Sequence, residues 1–238
     1  MANIMKFGGC SGSSGSSGSP ITIPVIGTDF NWTGGDNTYL VLNDDGGNWR
    51  IKFLSSGVFT PLRDMLIDAF LVGAGGGGSL AGAGGGYTTT SKLITLFANT
   101  EYTITIGAGG AKASSLGAGS PGGSTSAFEV TASGGKGGGS FETGPSGGNG
   151  GSGGGNNGGT GGTDGSDGVR NSSSSGSAGK GQGTTTREFG EPTGDLYASG
   201  GSGISDVAEA SADNTGDGGD YMNAGGSGIV IIRNHKET

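Results

Sequence analysis

The sequence predicts an all-β fold: a jelly-roll or TNF-like β-sandwich with inserted polyglycine II helices, which are left-handed and glycine-rich. Three observations lead to this prediction. Glycine supplies 61 of the 238 residues, against a usual share of about 7%, and the glycines recur in clusters. Short runs rich in threonine, valine and isoleucine lie between the clusters, as in sheets built from many short strands. Helix signals are nearly absent, because only residues 204–212 are suited to two helical turns.

Composition divides the chain into three parts. Residues 1–19 carry a Gly-Ser-Ser register, with glycine at positions 9, 12, 15 and 18, and we expect them to anchor the protein to a larger assembly. An engineered linker at residues 12–18 is the alternative. Residues 20–56 have ordinary composition and predict a short β-rich lead-in domain. Residues 57–238 predict the glycine-rich β-sandwich.

The lead-in domain contains three strand signals. They lie at residues 21–26, 39–42 and 49–53. Residues 43–47, with the sequence Asn-Asp-Asp-Gly-Gly, predict a turn between the last two. In the third signal Arg50 and Lys52 alternate with apolar residues, so we expect a half-buried strand with one face in solvent.

Four further strand signals lie in the glycine-rich part. They are the apolar run 66–72, the segment 87–106, and residues 127–132 and 229–232. The segment 87–106 lacks glycine and proline, and its alternating pattern predicts a strand, a turn at Ala98-Asn99 and a second strand. About eight short strands separated by turns favour a sandwich or a jelly roll.

Polyglycine helices are predicted at about residues 73–86, 107–124, 134–183 and 216–228. In the third segment, positions 144, 147, 150, 153, 159, 162, 165 and 168 are all glycine. A three-residue period matches a left-handed helix with three residues per turn. Glycine also lets neighbouring backbones approach closely enough to exchange hydrogen bonds. A disordered loop and a collagen-like segment are the alternatives for this part.

Charge and hydropathy narrow the range of partners. The formal net charge of −8 argues against nucleic acid, because phosphate binding needs clustered lysine and arginine. Anionic membrane surfaces are disfavoured for the same reason, and no stretch reaches the roughly 20 apolar residues of a membrane span. Cys10 is the single cysteine, so no disulfide can form within the chain. We expect neither nucleic-acid binding nor membrane insertion.

Motifs for catalysis or cofactor binding fail on their context. Residues 73–78 fit GxGxxG, but the glycines that follow cannot sustain the helix that a dinucleotide site needs. Residues 150–154 have the spelling of a nucleophile elbow without a strand before it. His235, the single histidine, is expected to be a frayed surface residue, which argues against a catalytic triad or a multi-histidine zinc site. We therefore predict a non-enzymatic protein with no catalytic or cofactor-binding residues and no cofactor.

An acidic tract near the C-terminus raises the question of a metal. Asp213, Asn214, Asp217 and Asp220 could offer oxygens to Ca²⁺, but their spacing matches neither an EF-hand nor a calcium β-roll. Solvated turns are the preferred interpretation, and we assign no metal ligand.

Side chains on the glycine-rich loops are candidates for receptor contact. They are Asn149, Asn156, Asn157, Phe189, Tyr197 and Tyr221. Amides and aromatic rings of this kind suit contact with sugars. For the rings, the alternative role is that of aromatic plugs that cap a glycine bundle.

Four segments together resemble the glycine-rich domain of bacteriophage and prophage tail-fibre proteins. They are NWRIKFLSSGVFTP at 48–61, IDAFLVGAGGGG at 67–78, YTITIGAGG at 102–110 and GGSGIVIIR at 225–233. Their order, their spacing and the closing strand carry the resemblance, which covers roughly residues 49–233. The architecture is also similar to that of the glycine-rich extracellular region of anaplastic lymphoma kinase.

The resemblance implies a structural and host-adhesion protein of a virion, as a tail fibre, a head or collar fibre or a tip module. Such fibres are homo-oligomers, often trimers, so we expect the N-terminus to dock on other virion proteins and the distal loops to bind a bacterial surface glycan or protein. The expected location is the outer surface of the virion, after assembly in the host cytoplasm and release by lysis. A secreted glycan-binding or ice-binding protein without a virion role is the alternative, and a glycan-depolymerising enzyme ranks third.

Overall fold

The computed structural model describes residues 23–43, 48–140, 151–154, 179, 181–182, 189, 196–203 and 210–235. These residues contain ten β-strands and no helix. The strands are β1 (Phe30–Trp32), β2 (Tyr39–Asn43), β3 (Trp49–Phe53), β4 (Gly57–Pro61), β5 (Met65–Val72), β6 (Thr88–Leu96), β7 (Tyr102–Ile104), β8 (Thr125–Ala127), β9 (Val130–Ala132) and β10 (Ile229–Asn234). The all-β prediction is confirmed for this part of the chain.

The strands form three antiparallel sheets. One sheet has five strands in the order β2-β3-β10-β5-β6, the second has three in the order β1-β4-β7, and the third is the hairpin β8-β9. An isolated antiparallel bridge between Thr105 and Ser126 joins the second sheet to the hairpin. The sheets share one hydrophobic core, an arrangement consistent with a β-sandwich.

Aromatic side chains from different sheets form the centre of this core. Phe30, Phe53 and Phe59 are completely buried. The Phe59 ring lies 5.3 Å from that of Phe30 and 5.4 Å from that of Phe53, measured between centroids. Phe53 comes from the five-stranded sheet and the other two from the three-stranded sheet. Aromatic burial of this kind therefore holds the layers together.

A second apolar cluster covers the opposite face of the five-stranded sheet. Phe70, Val72, Ile229 and Ile231 pack there against Phe189 and Ala198. Because both faces of β5 and β10 are covered, their sequences read as nearly continuous apolar runs instead of alternating ones. The expectation of a solvent-facing side on β3 is corrected as well, because Arg50 is buried and Lys52 is half-buried.

The strand predictions can now be compared with the sheets. The signals at 39–42, 49–53, 66–72 and 229–232 correspond to strands β2, β3, β5 and β10 within two residues at each end. Two signals need correction. Residues 127–132 hold a hairpin with its turn at Phe128-Glu129 instead of one strand, and residues 23–26 make only an isolated bridge at Ile26.

Residues 87–106 behave differently from a hairpin. The predicted strand, turn and strand are present, with a positive φ of 60° at Asn99. However, β6 pairs with β5 and β7 pairs with β4, so the turn carries the chain from one sheet to another.

The five-stranded sheet contains strands from both sides of the predicted domain boundary at residue 56. In this sheet β3, which precedes the boundary, pairs with β10, which follows it. The short strands β1 and β4 were not predicted.

The glycine-rich segments pack side by side into a hydrogen-bonded array that we call the glycine bundle. Its described parts are residues 73–86, 107–123, 133–138, 151–154, 198–203 and 215–228. Residues 73–78 continue directly from β5 and are completely enclosed. We call them the central segment.

The central segment donates its backbone hydrogen bonds with a period of three residues. Ala74 and Gly77 donate to the carbonyls of Gly123 and Ser120, at 3.0 and 2.8 Å. Gly75 and Gly78 donate instead to Gly226 and Asn223, at 2.9 and 2.7 Å. Gly73 and Gly76 donate to Tyr87 and Gly84, at 2.9 Å each. Residues three apart therefore point to the same neighbouring segment.

The carbonyls of the central segment point to three other neighbours. Ala74 and Gly77 accept from Gly135 and Gly138, Gly75 and Gly78 accept from Gly110 and Ala113, and Gly76 accepts from Gly219. These distances lie between 2.8 and 3.0 Å. Six segments thus surround the central one, three through its N–H groups and three through its carbonyls.

Candidate functional site

The glycine bundle ends, away from the sheets, in three reverse turns that we call the distal tip. The turns are residues 79–82, 114–117 and 220–223. The first turn follows the central segment, which begins at the end of β5. The second follows residues 107–113, which begin just after β7, and the third follows residues 216–219, which begin beside Ser227 near the start of β10. Hydrogen bonds join the turns, since the Ser79 hydroxyl donates to Gly117 O at 2.7 Å and Met222 N–H donates to Ser79 O at 2.9 Å. The three turns form one surface.

Each turn of the distal tip carries at least one large apolar or aromatic side chain. They are Leu80 in the first turn, Leu116 in the second, and Tyr221 and Met222 in the third. Leu116 is 54% exposed, and the other three are half-buried. The sequence prediction named only Tyr221 among them. A lone leucine among glycine, serine and alanine, as at Leu80 and Leu116, is the signal that could have identified two of the others.

The six predicted receptor-contact residues fall into three groups. Asn149, Asn156 and Asn157 lie outside the described residues. Tyr221 lies at the distal tip. Phe189 and Tyr197 lie together in the second apolar cluster, which covers the five-stranded sheet, with their ring centroids 5.3 and 6.0 Å from that of Phe70.

Phe189 and Tyr197 have structural contacts in these positions. Phe189 is completely buried, so its ring is covered by its neighbours. It packs on Phe70 and other residues of the five-stranded sheet, whereas the alternative role was that of a plug on a glycine bundle. Tyr197 is half-buried, and its hydroxyl lies 3.2 Å from Lys52 Nζ. That contact ties the loop to the outward side of β3.

Side chains of the acidic tract form hydrogen bonds that join segments of the glycine bundle to each other and to the sandwich. The carboxylates of Asp217 and Asp220 accept hydrogen bonds from the backbone N–H groups of Ser199 and Ser202. Asn214 donates through its amide to Leu54 O and Gly228 O, at 2.8 and 3.0 Å. Among the described residues, no group of three or more His, Cys, Asp or Glu side chains is placed to hold a metal ion.

His235 is not frayed, which corrects the sequence-based expectation. Its Nδ1 lies 2.7 Å from Asp68 Oδ1, and Arg233 donates to Asp68 Oδ2 at 3.1 Å. Burial alone would raise the pKa of Asp68, yet the hydrogen bonds with His235, the Leu93 N–H and Arg233 outweigh it and hold that pKa below its ordinary value. The Arg233 guanidinium also lies 4.3 Å from the centroid of the Phe189 ring. This cluster fastens β10 to β5.

The GxGxxG motif at residues 73–78 is the central segment itself. Its N–H groups are bonded to neighbouring carbonyls, and it is enclosed on all sides. A nucleotide phosphate would need those N–H groups free and a helix behind them. The arrangement therefore cannot cradle a phosphate. Within the described part of the chain, no helix is long and apolar enough to cross a membrane.

Sheets and bundle together define the class of protein: an all-β protein in which one sheet strand runs into an array of glycine-rich segments. Residues 54–235 match the family described as "Glycine-rich domain", and the chain belongs to that family. No curated protein matches the sequence. The matched range begins near the predicted boundary at residue 57, although strands β1, β2 and β3 of the sandwich lie before it.

Proposed function

We propose that this protein is a structural and host-adhesion component of a bacteriophage virion, as a tail fibre, a head or collar fibre or a tip module. The proposal rests on the resemblance of its segments to tail-fibre glycine-rich domains and on the geometry of the bundle. In it the sandwich is the base, the glycine bundle is a rigid spacer, and the distal tip meets the bacterial surface.

The observation that supports a spacer best is the surrounding of the central segment by six hydrogen-bonded neighbours. We infer that these segments are polyglycine II helices, because the three-residue period of their hydrogen-bond directions is that of a threefold helix. At about 3.1 Å per residue, residues 73–78 would then extend about 16 Å from the sheet. Displacing any segment would leave buried N–H and C=O groups unpaired, at about 1–3 kcal/mol each.

The proposal includes a jelly-roll or TNF-like topology for the base. The repeated passage of the chain between sheets, from β3 to β4 to β5 and from β6 to β7, supports it. It also includes a homotrimer whose N-terminal residues 1–19 dock on other virion proteins. No catalytic residue belongs to the proposed function, and the protein is placed on the outer surface of the virion.

The distal tip is the proposed contact with the receptor. Backbone hydrogen bonds hold the turns, so side chains at their apices can change without loss of the supporting array. Leu116 and Tyr221 are therefore expected to matter for adhesion and not for folding. A bacterial surface glycan or protein is the expected receptor.

Two measurements test this function. Density-gradient fractions of a phage lysate, probed with an antibody against this chain, should contain it in the particle band, and electron microscopy should show the antibody on the particle exterior. Recovery of the chain only as free protein would overturn the virion role and support a secreted glycan-binding or ice-binding protein.

The adhesion role is tested separately by competition. Purified protein should reduce adsorption of phage to host cells, and the variant Leu116→Ser/Tyr221→Ser should lose this effect. Leu40→Ser is the matched control, because Leu40 is 46% exposed on β2 at the edge of the sandwich. Equal competition by the tip variant would show that the distal tip is not the contact.

A further inference from the structure

A groove of about 480 Å³ lies on the sandwich, away from the glycine bundle. It is lined by the end of β6, by β7 and by the turn of the β8–β9 hairpin, through Ile94, Thr95, Phe97, Glu101, Tyr102, Thr103, Phe128 and Glu129. Its volume falls within the range of about 300–1,000 Å³ that is usual for small-molecule sites. All of these residues lie outside the surfaces used by the proposed function.

Aromatic rings form one part of the lining. The centroids of the Tyr102 and Phe128 rings are 5.7 Å apart, and the Tyr102 hydroxyl accepts a hydrogen bond from Phe97 N–H at 2.9 Å. Phe97 is nevertheless 58% exposed. The groove thus offers one open ring beside two that are fixed by packing.

Charge of a single sign forms the other part. Glu101 and Glu129 line the groove and are exposed, and no lysine or arginine is among the lining residues. Aromatic faces attract cations through their quadrupole, and neighbouring carboxylates add to that attraction. An anionic ligand would be repelled by the same carboxylates.

The hairpin turn holds two of these side chains in place by an unusual backbone. Phe128 and Glu129 have φ angles of 51° and 62°, as a two-residue type I′ turn requires. Glycine and asparagine are the usual residues there, and a bulky side chain at positive φ is an outlier. In a chain with 61 glycines, this turn instead carries a phenylalanine and a glutamate that both enter the groove.

We propose that this groove binds an organic ammonium group, either a quaternary ammonium or the alkylammonium of a lysine side chain. The apolar part of the ligand would contact Phe97 and Tyr102, and its positive nitrogen would lie near Glu101 and Glu129. The site is independent of the virion role, so adhesion through the distal tip can fail while this binding holds, and the reverse.

The test follows backbone amide chemical shifts of residues 101–103 and 128–129 in the full chain by NMR. Choline chloride represents the quaternary ammonium and n-butylammonium chloride the lysine side chain, with sodium chloride to match ionic strength. The alcohol 3,3-dimethylbutan-1-ol has the shape of choline without its charge. We expect saturable shifts at the groove with one or both cations and none with the alcohol. A response to choline alone identifies a quaternary headgroup, and one to butylammonium alone identifies a lysine side chain.

Variants separate charge from packing. Glu101→Gln and Glu129→Gln should each weaken cation binding about tenfold, and Phe97→Leu by a similar factor, while thermal unfolding confirms that each variant folds. Asp36→Asn, which removes an exposed carboxylate elsewhere, should leave binding unchanged. If Glu129→Gln disturbs the turn, Glu101→Gln and Phe97→Leu carry the test. Absence of saturable binding by both cations, equal binding of the alcohol, or unchanged affinity in the folded variants overturns the proposal.

Discussion

The core of the sandwich and the central segment of the glycine bundle are both buried, yet opposite physical means hold them together. The core of the sandwich buries large side chains such as Phe53 and Phe59, so apolar area removed from water stabilises it. The central segment of the bundle has almost no side chains to bury, and backbone hydrogen bonds join it to six neighbours. This protein therefore has two kinds of buried interior, one packed with apolar side chains and one joined by backbone hydrogen bonds.

This difference predicts opposite responses to side-chain size. In the sandwich a smaller side chain leaves a cavity, whereas in the bundle a larger one has nowhere to go. A Cβ built on Gly75 would overlap the carbonyl of Asp217, and one on Gly78 would overlap that of Asp220. Both obstacles are backbone atoms, which cannot rotate away as a flexible side chain would.

The largest effect is expected in the sandwich. Phe59→Ala should lower the free energy of unfolding by about 3–5 kcal/mol, because it removes a ring that contacts Phe30, Phe53 and Phe128. Urea denaturation measures the change. Leu40→Ala, at an exposed position of β2, is the matched control and should change it by no more than about 0.5 kcal/mol. Similar losses in both variants would mean that the aromatic cluster is not the main core.

The bundle gives the next largest effect, from the addition of a single methyl group. Gly75→Ala should lower the free energy of unfolding by about 1–3 kcal/mol or more, because its Cβ would push two hydrogen-bonded segments apart. The neighbouring change Ala74→Gly is the control and should cost about 0.5–1 kcal/mol. Hydrogen exchange should also become faster at Gly226 and Gly110 in Gly75→Ala. A neutral Gly75→Ala would show that the bundle is loosely packed.

How far the sequence predicts each region follows from the same contrast. Strands β5 and β10 were predicted closely because their apolar runs adjoin glycine, and β3 because its apolar residues alternate with Arg50 and Lys52; both patterns are local signals. The short strands β1 and β4 were not, because FNW has only three residues and GVFTP begins with glycine and ends with proline, which are turn signals. Their place is decided by pairing with each other, at a distance along the chain.

In the bundle, the glycine period predicted that segments would pack, but not which would be neighbours. Every segment presents nearly the same backbone. The sequence alone therefore does not show that Gly75 donates its hydrogen bond to Gly226 and accepts one from Gly110. At the distal tip the prediction named Tyr221 and missed Leu80 and Leu116, since attention to amides and rings overlooked lone aliphatic residues. His235 was wrongly predicted to be frayed because its partner, Asp68, lies 167 positions away.

Acid should affect the sandwich through Asp68. Since its folded-state pKa lies below the ordinary value of 3.8, its contribution to stability is complete above pH 3.8 and is lost as the pH falls through the folded-state pKa. Asp68→Asn should cost about 1–3 kcal/mol near neutral pH, because Arg233 loses a charged acceptor. It should also reduce the fall in unfolding free energy below about pH 4. Asp36→Asn is the control, and an unchanged acid profile in Asp68→Asn would assign that fall to other carboxylates.

The smallest expected effect tests whether the sandwich and the glycine bundle unfold together. Asn214 joins them, since its amide donates to Leu54 O beside the sheets and to Gly228 O in the bundle. Asn214 has a φ of 59°, so Asn214→Gly removes the amide without straining the backbone. The free energy of unfolding should fall by about 1 kcal/mol, because the loss of two hydrogen bonds is partly offset by the relief of backbone strain. If the regions form one cooperative unit, hydrogen exchange will accelerate equally at Gly77 in the bundle and at Ile231 in β10. Faster exchange at Gly77 alone would mean that the backbone-held region opens while the side-chain-held region stays folded.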